Sequence, residues 1–248
     1  MSTKVIALDA RNLSKAYGAL QVTKDVSISV ESGQALGIIG PNGAGKTTLF
    51  NLFTGTVKPD AGQVFFFGQD ITSIDARRRC LMGITRSFQV PQPFGGMSVY
   101  ENTLVAASFG QGISETKARD FAADALQRTG LWTKAEKRAG EITLLDRKRL
   151  ELARSIATAP RLLLLDEIAG GLTEAECKEL IALILKIKSD GVTIIWIEHV
   201  MHALLSVVDK VMVLDFGQKI IEGEPATIMK SREVASIYLG LEPEVSHG

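Results

Sequence analysis

A glycine-rich segment at residues 40–48 constrains the fold of this chain more than any other feature of its sequence. It reads Gly-Pro-Asn-Gly-Ala-Gly-Lys-Thr-Thr and fits the pattern G-x-x-x-x-G-K-[ST], in which backbone amides wrap phosphate oxygens and a lysine adds positive charge. Such a loop requires a buried strand before it and a helix after it. The predicted phosphate-binding residues are Gly40, Pro41, Asn42, Gly43, Ala44, Gly45, Lys46, Thr47 and Thr48.

Apolar runs on both sides of this loop supply that context. Residues 35–39 are typical of a buried strand, and Leu49, Leu52 and Phe53 recur at helical spacing after the loop. Turn residues at 58–62 end that helix. The segment therefore joins a strand to a helix, which favours a phosphate-binding loop over a chance glycine-rich turn. Other strands of this first region are predicted at residues 5–8, 15–18, 26–30 and 64–67.

The rest of the chain predicts a helical insertion followed by more strands. Residues 98–160 follow helical spacing and open with Ser98 and Glu101, which are spaced for a capping box. Apolar runs at 162–165 and 192–197 flank a helical stretch, a β-α-β order that implies parallel pairing. A closing hairpin is predicted at residues 211–214 and 219–221. These patterns indicate an α/β protein.

Composition and charge limit the partners of the chain. Its 248 residues fit one compact domain, and a net charge of zero gives no overall field that would attract nucleic acid. Cys80 and Cys177 follow no metal-ligand spacing and do not make a disulfide scaffold. The N-terminal apolar run is too short for a signal peptide, and no run reaches the roughly 20 residues of a membrane-spanning helix. The sequence thus predicts a cytoplasmic chain, and if a membrane is involved in its function, the chain would dock onto it rather than cross it.

Two carboxylates close the strand predicted at residues 162–165. Asp166 and Glu167 follow four leucines, in the form of a Walker B strand whose acids emerge at the carboxyl end of a sheet. Asp166 and the Thr47 hydroxyl would hold Mg²⁺, and Glu167 would orient and polarise the attacking water. Taken alone, the pattern also fits a core strand that ends in solvated acids. The phosphate-binding loop upstream favours the functional interpretation.

The positions of two further polar residues along the chain predict that they lie near the carboxyl edge of the same sheet. His199 follows the strand predicted at 192–197, so it would emerge beside Asp166 and could reach a γ-phosphate. A lone histidine in a loop is otherwise usually a surface residue. Gln89 lies where the first α/β region gives way to a stretch rich in proline and glycine, and its neutral amide could sense Mg²⁺ or the attacking water. Spacing alone does not single out Gln89.

Taken in this order, the motifs resemble the nucleotide-binding subunits of ABC transporters over essentially the whole chain. The resemblance implies ATP and Mg²⁺ as ligands and a single domain with a P-loop core, an antiparallel β subdomain and an inserted helical subdomain. It also implies that Tyr17 stacks on adenine, that Gln89 stands at the entry to the helical lobe and that His199 is the family's histidine switch. The core lobe would span about residues 1–89 and 160–248, and the helical lobe about residues 90–159.

The family signature, usually Leu-Ser-Gly-Gly-Gln before a helix, is where the sequence departs from this resemblance. Residues 142–146 occupy that position, and Thr143 keeps a hydroxyl at a helix start, where an anion site remains expected. Leu145 replaces a glycine that lets the backbone approach phosphate, and Asp146 adds a negative charge. Both changes are expected to weaken phosphate contact. The segment after Glu167 also lacks the family's usual proline.

Within that family the chain resembles the larger ATPase of branched-chain amino acid importers. The features are residues 86–89, the helix start at 98–102 and the tail at 232–240. The resemblance implies that ATP hydrolysis drives amino acid uptake. It implies as partners a second and different ABC ATPase, paired head to tail, two integral membrane permease subunits and, indirectly, a solute-binding protein. The chain would then lie peripherally at the cytoplasmic face of the inner (plasma) membrane.

Two other functions stay open at this point. A soluble ABC ATPase that acts as an assembly factor, for example in iron-sulfur cluster assembly, would carry the same motifs. A P-loop kinase or GTPase would share the phosphate loop, but residues 187–190 lack the leading polar residue of a guanine-recognition motif. Phe94 fits either an exposed docking residue or a residue buried in the helical lobe.

Overall fold

The computed structural model describes residues 4–231 and Val234, and in this part of the chain strands alternate with helices. The strands are β1 Ile6–Tyr17, β2 Leu20–Glu31, β3 Ala35–Ile39, β4 Ala61–Phe66, β5 Gln69–Asp70, β6 Ile84–Arg86, β7 Leu162–Asp166, β8 Thr193–Ile197, β9 Lys210–Asp215 and β10 Gln218–Gly223. The helices are α1 Lys46–Thr54, α2 Ala76–Leu81, α3 Val99–Gln111, α4 Glu115–Arg128, α5 Leu144–Ala157, α6 Glu174–Ser189, α7 Met201–Leu205 and α8 Pro225–Ile228. Within the described residues, none of these helices combines the length and apolarity needed to cross a membrane. The tail at residues 232–240 lies outside the described residues, apart from Val234.

The larger sheet has six strands in the order β10-β9-β3-β8-β7-β6. Strand β3 pairs in parallel with β8 and β9, and β7 pairs in parallel with β8 and β6. Strand β10 closes an antiparallel hairpin with β9. Every residue of β3, β7 and β8 is buried, because packed layers cover both faces of this sheet. The parallel pairing and the closing hairpin predicted from the sequence are confirmed.

Alternate residues of the central strands enter two separate cores. Ile38 of β3 and Leu164 of β7 face a core that also contains Phe50 of α1 and apolar residues of the smaller sheet. Their neighbours Ile39 and Leu165 face the other core, which α5 and α6 cover. This period of two is the pattern of strands that are buried on both faces. The sheet is thereby fixed between α1 on one side and α5 and α6 on the other.

The smaller sheet is antiparallel, with four strands in the order β2-β1-β4-β5, and the predicted α/β fold class is confirmed. The sequence predicted two short strands at residues 5–8 and 15–18, but one strand of 12 residues lies there. That prediction was wrong because the polar residues around Asn12 look like a break. Asn12 adopts a left-handed conformation with φ of 52°, and its backbone N–H donates to Ser27 Oγ at 2.9 Å. Strand β1 therefore continues through a bulge.

Helices α3, α4 and α5 lie inside the segment predicted to be the helical lobe; the division into two lobes stays a prediction. The capping box at the start of α3 is confirmed, since Glu101 N donates to Ser98 Oγ at 3.0 Å and Ser98 N donates to Glu101 Oε2 at 2.7 Å. The structure adds β6, whose three residues are too few to show a period in the sequence. Strand β6 ends three residues before Gln89, so it positions the entry to this segment.

Arg79 of α2 fixes the far end of α1. Its side chain is fully buried, and burial lowers the pKa of Arg79 to about 10. The guanidinium donates to the backbone carbonyls of Leu52, Phe53, Ile71, Thr72 and Ile74. Two of these carbonyls belong to the last turn of α1, where helix carbonyls have no partner within the helix. Arg79 therefore holds the helix that follows the glycine-rich loop against the connection between β5 and α2.

Candidate nucleotide site

The glycine-rich loop joins β3 to α1, as predicted. Gly43 and Gly45 have positive φ angles of 82° and 101°. A Cβ on Gly40 would lie 2.0 Å from the carbonyl oxygen of Leu214, and one on Gly45 would lie 2.6 Å from that of Val22. Any side chain at either position would displace the loop. The N-cap residue of α1 is Gly45, which has no side chain to satisfy the first helix amides, so these amides suit an anionic ligand.

The ammonium group of Lys46 is folded back against this loop. Lys46 is the first residue of α1, and its Nζ donates to Gly40 O at 2.7 Å and to Pro41 O at 2.9 Å. Burial lowers the pKa of Lys46, and the negative charges of Glu167 and Asp166 oppose that effect. The lysine thus lies among the carbonyls of the loop and within the field of the two acids.

The adjacent parallel strands β6, β7 and β8 bring the three predicted catalytic residues to one edge of the sheet. Glu167 follows β7 with a positive φ of 47°, and its amide donates to Ile197 O, at the end of β8, at 2.8 Å. Gln89 Nε2 donates to Glu167 Oε2 at 2.6 Å. On the other side, His199 Nε2 lies 2.9 Å from Glu167 Oε1. The glutamate is therefore held between an amide and an imidazole; the catalytic roles of the three residues stay predictions.

Asp166, the predicted magnesium ligand, forms an ion pair that the sequence did not predict. Its Oδ2 accepts a hydrogen bond from Arg86 Nη2. Arg86 is the last residue of β6, and its Nη1 also donates to Asn51 Oδ1 of α1 at 2.7 Å. The only signal in the sequence is a cation close to Gln89, since the partners of Arg86 are distant along the chain. A buried cation therefore already lies on the carboxylate that was expected to bind a metal.

Glu198 is a second residue of this site that was not predicted from the sequence. Its carboxylate is buried after β8 and accepts hydrogen bonds from Ala169 N at 2.9 Å, His199 N at 3.0 Å and Val200 N at 3.2 Å. One side chain thus connects the segment after Glu167 to the segment that carries His199. Lys148 of α5 lies nearby: burial lowers its pKa, and the charge of Glu198 opposes that effect. The signal in the sequence that could have identified Glu198 is the position of an acidic residue directly after an apolar strand.

Residues 142–146, which occupy the position of the family signature, lead into helix α5 as expected. Thr143 caps α5, because its Oγ1 accepts from Asp146 N at 3.2 Å. Leu145 is only 8 % exposed, whereas Leu144 is 45 % exposed. The buried carboxylate of Asp146 pairs with Lys134 at 2.5 Å and with Arg149 at 3.7 Å. The charge of Asp146 is therefore balanced within the chain, and Leu144 rather than Leu145 faces outward at the helix start.

Tyr17 lies at the turn between β1 and β2 and is 48 % exposed. Lys15 Nζ lies 5.7 Å from the centroid of its ring. Since a Cβ on Gly45 would collide with Val22 O, β2 lies directly beside the glycine-rich loop. Tyr17 therefore presents an accessible aromatic face at the end of a hairpin that borders the loop, and its contact with a base stays a prediction.

Comparison with known proteins identifies a family and full-length relatives. The model of the family described as ABC transporter matches residues 23–170. The high-affinity branched-chain amino acid transport ATP-binding protein BraF of Pseudomonas aeruginosa is 36 % identical over 94 % of this chain and 97 % of its own length. The corresponding protein LivG of Escherichia coli is 35 % identical over the same shares of the two chains.

Solved structures agree with these relatives. A nucleotide-free ATP-binding cassette from an ABC transporter superposes with a TM-score of 0.87 at 30 % identity, over 95 % of this chain and 100 % of its own. The ADP conformation of MJ1267, another ATP-binding cassette, also gives 0.87 at 31 % identity, over 95 % of this chain and 99 % of its own. The resemblance found from the motifs is thus confirmed by sequence and by fold.

The substitution Glu198→Gln tests the connection between the two loops. An amide has one acceptor oxygen, so one set of amides loses its partner and meets an NH₂ group instead. We expect the free energy of unfolding to fall by about 1–3 kcal/mol, with faster hydrogen exchange at Ala169 or at His199 and Val200. The exposed Glu174→Gln serves as the control. Unchanged exchange at all three amides would contradict the role given to Glu198.

Proposed function

The chain belongs to the ABC transporter family, and on that premise we propose that it hydrolyses ATP to drive import of branched-chain or similar amino acids. The observation that supports ATP hydrolysis is the position of Glu167, which contacts both Gln89 and His199 at the sheet edge beside the glycine-rich loop. The names of the full-length relatives BraF and LivG support amino acid transport. They favour this function over the soluble assembly factor that the sequence left open.

The triphosphate of ATP would lie on the amides at the start of α1. Lys46 would exchange its bonds to Gly40 O and Pro41 O for stronger, charge-assisted bonds to the β- and γ-phosphates. Asn42, Gly43 and Ala44 complete the loop around the phosphates, and Tyr17 would stack on the adenine. Because Lys46 Nζ already contacts two carbonyls of the loop, a rotation of its side chain would bring the ammonium group to the phosphates.

The oxygen atoms in the site fit a magnesium ion. Mg²⁺ prefers hard oxygen ligands; the Thr47 hydroxyl and the Asp166 carboxylate offer them, and Asp166 already binds a cationic group. The Gln89 side-chain oxygen is a further candidate ligand. When bound, Mg²⁺ would neutralise charge on the phosphate oxygens.

Water activation falls to Glu167. Its carboxylate would accept a hydrogen bond from the attacking water and orient it toward the γ-phosphate. Gln89 and His199 hold the two carboxylate oxygens at 2.6 and 2.9 Å, so the side chain has a defined direction. His199 would also contact the γ-phosphate. Gln89 would respond to the γ-phosphate and transmit the change to the residues that follow it in the chain.

A second cassette would complete the site. The start of α5, with Thr143 as its cap and Leu144 exposed, would face the nucleotide of a partner ATPase, which we propose to be a different chain. Residues 90–159 would form the helical lobe and contact two membrane permease subunits at the cytoplasmic face of the inner membrane. Phe94, which is 50 % exposed, is a candidate docking residue there. A solute-binding protein would deliver the amino acid from outside.

The substitution Glu167→Gln separates binding from hydrolysis. The amide keeps the size of the side chain but cannot accept a proton, so we expect ATP hydrolysis by the assembled complex to slow by about 100-fold or more. The affinity for ATP should stay within about threefold of the unaltered chain, because Lys46 and the loop are untouched. Phosphate release and equilibrium binding measure the two effects. Glu174→Gln is the exposed control, and near-normal turnover by Glu167→Gln would place the general base elsewhere.

Purification of the tagged chain from membranes tests the transport assignment. We expect two integral membrane subunits and a second, different ATPase to copurify with it. Addition of a branched-chain amino acid with its solute-binding protein should then stimulate ATP hydrolysis by the reconstituted complex. Recovery of the chain only in a complex without membrane subunits would contradict the assignment and support the assembly factor.

A further inference from the structure

The ion pair between Arg86 and Asp166 lies on the carboxylate that the proposed function assigns to Mg²⁺. We propose that Arg86 is a built-in counter-cation that competes with the divalent cation for Asp166 and so weakens the binding of Mg²⁺ to the site. This inference rests on the proposed function, since it takes Asp166 as a magnesium ligand.

The pair is nearly closed off from water. The side chains of Arg86 and Asp166 are only 11 % and 9 % exposed, and the guanidinium bonds directly to Asp166 Oδ2. A buried carboxylate without a partner is strongly destabilising, so the arginine balances the charge of Asp166 and holds its side chain in place. The same bond occupies an oxygen that a metal ion would use.

Two cations at one carboxylate repel each other. A guanidinium on Oδ2 lies within a few ångströms of any ion bound to the same carboxylate, where the interaction between charges is strong because solvent screening is weak. Binding of a divalent cation therefore requires Arg86 to withdraw or to share Asp166. Either response reduces the free energy gained when the metal binds.

Arg86 has other contacts that can hold it after such a withdrawal. Its Nη1 donates to Asn51 Oδ1 at 2.7 Å, and its guanidinium carbon lies 5.4 Å from the ring centroids of both Phe50 and Phe88. Contacts between a guanidinium and aromatic rings are favourable. The arginine can therefore release Asp166 without moving into solvent, and its competition with the metal is reversible.

The test is the effect of Mg²⁺ on ADP binding, which needs no hydrolysis. We measure the dissociation constant of ADP in excess EDTA and in saturating Mg²⁺, and divide the value in EDTA by the value in Mg²⁺. For Arg86→Gln we expect this ratio to exceed that of the unaltered chain by about tenfold or more. A change that only loosened the fold would alter both constants and leave their ratio unchanged. The exposed Arg77→Gln makes the same change of charge elsewhere and should leave the ratio unchanged.

A second variant keeps the test decisive if Arg86→Gln does not fold. Arg86→Lys keeps one charge but replaces the two nitrogens that bond Asn51 and Asp166 with a single one on a shorter head group, so its ratio should exceed that of the unaltered chain by about threefold. An unchanged or smaller ratio in the variants that fold would overturn the inference. Asp166→Asn separates this from failure of the proposed function: it removes one anionic oxygen ligand, so its ratio should fall well below that of the unaltered chain. If Mg²⁺ does not affect ADP binding to the unaltered chain, the magnesium assignment and the inference both fail.

Discussion

The parallel alignment of β7 with β8 is the constraint on which the site depends. Because neighbouring parallel strands end at the same edge, Asp166, Glu167, Glu198 and His199 emerge together although they come from two separate parts of the chain. Strand β3 pairs with β8 in the same sheet and delivers the glycine-rich loop to this edge. The helices on both faces keep these strands buried, so the acids are fixed on a rigid support.

So many charges at one edge are stable because each has a partner within the chain. Lys46 bonds to loop carbonyls, Asp166 pairs with Arg86, and Glu167 lies between Gln89 and His199. Glu198 is satisfied by three backbone amides. A nucleotide with its metal would have to replace some of these contacts, so the internal partners tune how strongly the site binds its ligands.

Features set by short stretches of sequence could be predicted, whereas features set by contacts between distant parts of the chain could not. The loop around Lys46 and the acids after β7 were predictable because glycine conformations and strand ends follow from short patterns. Arg86 was not, since its partners lie 35 and 80 residues away. That Leu144 is exposed while Leu145 is buried depends on how α5 packs, which the motif does not encode. The continuation of β1 through Asn12 likewise depends on a bond to the neighbouring strand.

The role proposed for the glycine-rich loop is to bind the phosphates of ATP, and equilibrium binding of ATP to Lys46→Ala tests it directly. Loss of a charge-assisted contact worth roughly 1.5–3 kcal/mol predicts affinity about 10- to 100-fold weaker than that of the unaltered chain. The exposed Lys58→Ala should bind ATP normally. Affinity that is the same in Lys46→Ala and in the unaltered chain would contradict this role of the loop.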